Sequence, residues 1–142
     1  FIELADTINS GMPKYVVERA ATALNDHSKP VRGSNVLIYG VAYKKDVSDV
    51  RESPAFAVIH GFMERGANVS IMDPYVTEVD EEGVILTAVD PKSSFANYDL
   101  VVIVTDHTKL ERERLFKESK LVLDTRDALR GLTGDRSKVY GL

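Results

Sequence analysis

The residues of this chain best suited to chemistry are a few cations that could hold an anion. Lys44 and Lys45 stand in Gly40-Val41-Ala42-Tyr43-Lys44-Lys45-Asp46, Arg51 follows in Arg51-Glu52-Ser53-Pro54, and Arg126 closes Asp124-Thr125-Arg126. An ammonium is a point charge and a guanidinium a two-pronged donor, and both seek phosphate or carboxylate oxygens. Adjacent lysines diverge in an extended loop, so only one of the pair can readily enter a crevice. Two bland alternatives compete: Arg51 could pair with Asp46 or Asp49, and Arg126 with Asp124. Asp73 lies where a dinucleotide fold places its ribose-binding acid, but Asp73-Pro74 reads first as a turn. Gly40 is not followed by the further glycines of a Gly-x-Gly-x-x-Gly turn, so a dinucleotide site is not expected in this domain. His27, His60 and His107 lack metal-ligand spacing, so no metal is expected and each reads as structural or exposed.

These residues must be positioned by an alternation of strands and helices. Asn35 to Ala42 reads as a strand whose run Val36-Leu37-Ile38-Tyr39 suits a parallel sheet buried on both faces. Ser53 is the expected N-cap and Pro54 the first residue of a helix to Arg65, with Gly66 after its end. Further strands are expected at Val69–Met72, Val84–Ala88, Leu100–Val104, Lys120–Leu123 and, as a short edge, Val139–Tyr140, with a surface helix over Leu110–Lys117. Ahead of them, Ile2 to Asn25 has helical periodicity; Pro13 predicts a break near Gly11, leaving a helix from Lys14 to Asn25. The fold class is therefore α/β, a Rossmann-like, doubly wound, mostly parallel sheet with a preceding N-terminal connecting helix. Residues 1–30 read as that helix and a Pro/Gly-containing linker, and residues 31–142 as the sheet domain. In such sheets ligands bind beyond the carboxyl ends of the strands, where the Lys44 loop and Arg126 must both emerge.

Four motifs in order resemble the C-terminal, UDP-binding domain of the UDP-glucose/GDP-mannose dehydrogenase family. They are Asn9 to Val17, with Met12-Pro13; Gly40-Val41-Ala42-Tyr43-Lys44 with Arg51-Glu52-Ser53-Pro54; Asp73-Pro74; and Asp124-Thr125-Arg126. The resemblance implies an NAD-dependent oxidation of a nucleotide sugar's C6 alcohol to a carboxylate. It selects Lys44 over Lys45, and makes Tyr43, Lys44 and Arg126 substrate-binding residues for a UDP-sugar. Arg51 would lie near the cofactor, often reaching a neighbouring subunit. NAD itself would be bound mainly by an N-terminal domain outside this chain, with the connecting helix leading from a central dimerisation region of a homodimer. The family often has asparagine where this chain has Asp127. His107 in Thr105-Asp106-His107 resembles the N-acetylmannosamine branch, because glucose-type members tend to carry tryptophan there.

Composition sets the outer limits. The chain has 142 residues, 44% of them hydrophobic, enough for one packed core. A net charge of −4 gives no footprint for nucleic acid. There is no apolar run of membrane-spanning length and no signal pattern, so a cytoplasmic protein with no membrane partner is expected. The sequence contains no cysteine, so the family's covalent nucleophile is absent and no catalytic residue is assigned to this chain. Its start at Phe1, in a helical pattern, reads as a C-terminal fragment, inactive alone, of an enzyme serving polysaccharide biosynthesis. A receiver domain is a rival for the same layout, but needs an acidic pair where Tyr43-Lys44-Lys45 stands. A non-catalytic nucleotide-sensing or assembly module is the other.

Overall fold

The computed structural model describes residues 2–142, with side chains from Gly11 onward. Helix α1 (Ile2–Asp26) precedes β1 (Asn35–Tyr39), α2 (Ala55–Glu64) and β2 (Asn68–Met72). A hairpin of β3 (Glu78–Glu81) and β4 (Val84–Thr87) follows, then β5 (Leu100–Ile103), α3 (Arg112–Glu118), β6 (Val122–Asp124) and β7 (Val139–Tyr140). Five strands form one parallel sheet in the order β2-β1-β5-β6-β7. The strand order therefore runs outward in opposite directions from β1 and β5, and the crevice of a doubly wound sheet opens where they end.

Side-chain alternation divides the core between the two faces. Val36 and Ile38 of β1, with Leu100 and Val102 of β5, pack against Val17, Ala20 and Leu24 of α1 and Val58, Ile59 and Phe62 of α2. Leu37, Tyr39, Val101 and Ile103 point the other way, onto Phe95, Leu115, Phe116 and Leu129. A strand buried on both faces reads as an unbroken apolar run for this reason. The α1–α2 crossing is close: a Cβ on Gly61 would fall 2.8 Å from Val17 Cγ2.

Four expectations are corrected. Helix α1 is continuous through Pro13 rather than broken near Gly11. The buried stripe Val16, Val17, Ala20, Ala23, Leu24 holds it to the sheet, and this packing outweighs the one backbone bond that proline removes. β1 stops at Tyr39, not Ala42, because Gly40 turns the chain at φ +89°. The α2 N-cap is Pro54, not Ser53, although the Ser53 hydroxyl still accepts the Ala55 N–H at 3.2 Å. Val84–Thr87 belongs to a separate antiparallel hairpin, turned at Glu82-Gly83 with φ +51° and +84°. Beyond it Ala88 bridges Ile71, and the Val89 N–H donates to the Ile71 carbonyl at 2.8 Å, covering the outer edge of β2.

Gly40 is held by two constraints, a positive φ and the approach of β5's exit: a Cβ there would lie 2.5 Å from the Thr105 carbonyl oxygen. Gly33 shares the positive φ, at +82°, but a Cβ there would have nothing within 4 Å. Gly33→Ala should therefore cost only about 1 kcal/mol, and Gly40→Ala roughly 2–4 kcal/mol. Urea midpoints of the two variants measure the difference, and equal midpoints would mean that the β1–β5 crevice is not closed by this contact.

Candidate functional site

The carboxyl edge of the sheet is organised around Asp73, the residue after β2, which is 4% exposed. Its Oδ2 accepts the Val41 N–H at 2.8 Å, the Ala42 N–H at 3.3 Å and the His107 Nε2–H at 2.9 Å, and its Oδ1 accepts the Tyr75 N–H at 2.8 Å. Beyond Gly40 the chain no longer has a strand to pair with, so this carboxylate satisfies the amides that the sheet leaves unpaired. Thr105 Oγ1 donates to the Ala42 carbonyl at 3.0 Å, tying the same segment to the exit of β5. Asp73 is therefore more than the turn-former its Asp-Pro context suggests, and its oxygens are occupied by the protein itself.

His107 is fully buried, and its other ring nitrogen, Nδ1, accepts the Asp46 N–H at 2.9 Å. The Asp46 carboxylate returns the contact, accepting the Thr108 N–H at 2.7 Å and the Thr108 hydroxyl at 2.6 Å, and these bonds hold its carboxyl below the usual range. The Tyr75 ring stands edge-on to the imidazole at 5.0 Å, with Lys109 Nζ 4.9 Å from the Tyr75 ring centre. Tyr39 also stands edge-on to the imidazole, at 6.4 Å, and burial, then the Asp73 charge, push its phenol well above its ordinary value. Sequence reasoning read His107 as structural or exposed and, by resemblance, as a mark of the N-acetylmannosamine branch, and did not find this cluster.

Tyr43, Lys44 and Lys45 are exposed on the loop so anchored, with the Tyr43 N–H bonded to the Asp49 carbonyl at 2.6 Å. Arg51 makes the pair with Asp49 that its spacing allowed: Nε to Oδ1 at 3.0 Å and Nη2 to Oδ2 at 2.9 Å. Those bonds bring the Asp49 carboxyl down to about 2. The Arg51 side chain is still 86% exposed and lines a shallow depression with Tyr43, Asp49 and Glu52. An exposed pair of this kind is weak in water and exchangeable.

Arg126 leaves the end of β6, two strands from Lys44. Its partner is Asp106, at 3.5 Å, rather than Asp124. Asp124 instead closes the following turn, accepting the N–H groups of Arg126, Ala128 and Leu129 at 3.2, 3.0 and 2.9 Å. Asp127 stands at φ +56° and pairs with Arg130 at 2.8 Å. Arg126 lines an apolar groove of about 160 Å³ with Met12, Pro13, Pro54, Val104 and Leu142, and Lys44 is not in its wall. Lys44 and Arg126 thus share the sheet's carboxyl edge, with β5 between them, but not a cavity.

A family model described as the UDP-glucose/GDP-mannose dehydrogenase family, UDP binding domain, matches residues 37–131. The chain is 31% identical over 131 residues to the NDP-N-acetyl-D-galactosaminuronic acid dehydrogenase of Ralstonia solanacearum, covering 88% of this chain and 29% of that protein. It is 31% identical over 137 residues to the UDP-N-acetyl-D-mannosamine dehydrogenase of Methanococcus vannielii, covering 91% and 30%. Among solved structures, the UDP-D-ManNAc dehydrogenase of Pyrococcus horikoshii shares the fold over 99% of this chain and 32% of its own, with TM-score 0.79 and 24% identity. The UDP-glucose dehydrogenase of Pyrobaculum islandicum matches 82% of this chain and 28% of its own, with TM-score 0.62 and 30% identity. The chain spans less than a third of the length of these relatives. On the match across both the Lys44 loop and the Arg126 strand end, the chain belongs to the UDP-glucose/GDP-mannose dehydrogenase family, as its UDP binding domain.

Proposed function

We propose that this chain supplies the uridine and diphosphate contacts of an NAD-dependent UDP-sugar 6-dehydrogenase, whose C6 oxidation is carried out by parts of the protein outside these residues. The observation that carries the reading is the coincidence of the family match with an exposed cationic loop at the carboxyl edge of a parallel sheet. Lys44 serves as a point charge for the diphosphate, Tyr43 offers an exposed aromatic face beside it, and Arg126 supplies a second cation from β6. Partners with this chemistry are anionic and small, which suits a domain with a net charge of −4 and only a few placed cations.

NAD is assigned to the remainder of the protein. The turn at Gly40 is closed by Thr105, within 2.5 Å of where a Cβ would stand, and no second glycine follows to admit a pyrophosphate. The absence of cysteine likewise assigns any thiol nucleophile elsewhere. UDP-N-acetylmannosamine is the preferred sugar, supported by the name of the Methanococcus relative; UDP-glucose is the second reading, favoured by the identity to the Pyrobaculum enzyme. The whole enzyme is read as a cytoplasmic homodimer. Among the described residues, no helix is long and apolar enough to cross a membrane. Arg51, whose side chain is held among the described residues by its pair with Asp49, would turn toward the cofactor and substrate region of another domain or subunit.

The isolated chain should bind UDP weakly and reduce no NAD with any UDP-sugar; turnover by the purified chain would contradict the division of labour. Charge-assisted hydrogen bonds contribute roughly 1.5–3 kcal/mol, so Lys44→Ala or Arg126→Ala should weaken UDP binding about tenfold or more, and Lys45→Ala should change it little. Titration calorimetry decides, and a larger effect at Lys45 than at Lys44 would invert the loop's register. Arg51→Ala should lower kcat/KM of the complete enzyme while leaving UDP affinity of this chain nearly unchanged. Loss of UDP binding by the chain, or normal kinetics in the complete enzyme, would return Arg51 to a loop ion pair.

A further inference from the structure

The Asp46 N–H fixes the protonation pattern of the buried histidine. A backbone amide can only donate, so His107 Nδ1 must carry a lone pair, and the proton of the neutral ring sits on Nε2, aimed at Asp73 Oδ2 at 2.9 Å. One imidazole therefore links two segments that no strand joins. Its Nε2 side reaches the carboxylate that holds Val41 and Ala42, and its Nδ1 side holds Asp46, 61 residues away in sequence. Between those two anchor points lie Tyr43, Lys44 and Lys45, all exposed. The clasp is reciprocal, because the Asp46 carboxylate accepts the Thr108 N–H next to His107. Asp46 adopts φ +63°, a conformation that an unanchored aspartate leaves readily.

We propose that His107 is a positioning residue for the anion-binding loop, setting through the Asp46 N–H the direction in which Lys44 meets a nucleotide diphosphate. This rests on the reading of Lys44 as a UDP contact. The mechanism is preorganisation: a lysine on a four-carbon stem already loses side-chain freedom when it meets phosphate, and a loop fixed at both ends spares the further cost of ordering the backbone. His107 touches no ligand in this account and acts only through the loop.

Two amide substitutions separate the two sides of the ring. His107→Asn places a carbonyl oxygen near the Nδ1 position and keeps an acceptor for Asp46, whereas His107→Gln places its amide near Nε2, keeps a donor for Asp73 and leaves the Asp46 N–H without its acceptor. In calorimetry of the 142-residue chain with UDP, His107→Gln should weaken binding about tenfold and His107→Asn less than about threefold. In a Lys44→Ala background, His107→Gln should cost nothing further, since its effect passes through that lysine. Equal losses from Asn and Gln, or full additivity with Lys44→Ala, would overturn the positioning role. If Lys44→Ala alone leaves UDP binding unchanged, the reading of the loop as the UDP site is what fails, and the positioning role falls with it. Nitrogen-15 spectra of the unliganded wild-type imidazole give a test independent of ligand and of variant folding: the neutral Nε2–H tautomer is expected, and a proton on Nδ1 would refute the clasp.

Discussion

The loop that leaves β1 depends on a single buried carboxylate. Parallel strands end at different heights, and a chain emerging between two neighbours soon has amide groups with nothing opposite. Asp73 resolves this at the most crowded point of the sheet, accepting from Val41, Ala42, Tyr75 and His107 at once. A charge so buried is tolerable only when its oxygens are fully engaged, and truncating it would leave several buried donors without acceptors. The exposure of the loop that we propose as a binding surface follows from that anchorage. Gly40 can turn because the amides after it are held, and Tyr43, Lys44 and Lys45 can stay in solvent because the residues flanking them do not.

The same arrangement separates the structural charges of the carboxyl edge from the available ones. Asp73, Asp124 and Asp46 spend their carboxylates on backbone N–H groups and shape turns. Arg126 and Arg51 are each paired, among the described residues, with one half-buried aspartate, Asp106 and Asp49, and leave their guanidinium groups in solvent. A lysine, an arginine and a second arginine emerging from two strand ends suit a small polyanion better than an extended polymer, in keeping with an acidic chain that places its cations sparingly.

Much of this was legible in sequence because it is local. The apolar run from Val36 to Tyr39, the β-branched run at Leu100 to Ile103 and the Gly40-to-Pro54 motif carry their own positions, and even the two-residue edge strand Val139–Tyr140 falls where its pattern puts it. The β3–β4 hairpin was half-hidden because Glu78–Glu81 is acidic and offers only Val79 to the core, and because Glu82-Gly83 is a weaker turn signal than Asn-Gly. The continuity of α1 through Pro13 was illegible because it is decided by packing against the sheet, not by propensity. The Asp73–His107 contact could not be read at all. It requires the ends of β2 and β5 to flank the end of β1, and strand order is a property of the assembled sheet.

On the function proposed above, a nucleoside diphosphate meets this chain at the loop anchored by Asp73. Amide chemical-shift mapping of the chain during titration with UDP tests it most directly. The largest shifts should fall on residues 40–51, with a second set at Thr125 and Arg126. Shifts concentrated instead in the separate groove lined by Phe116, Leu132, Asp135 and Lys138, or none at millimolar UDP, would contradict it.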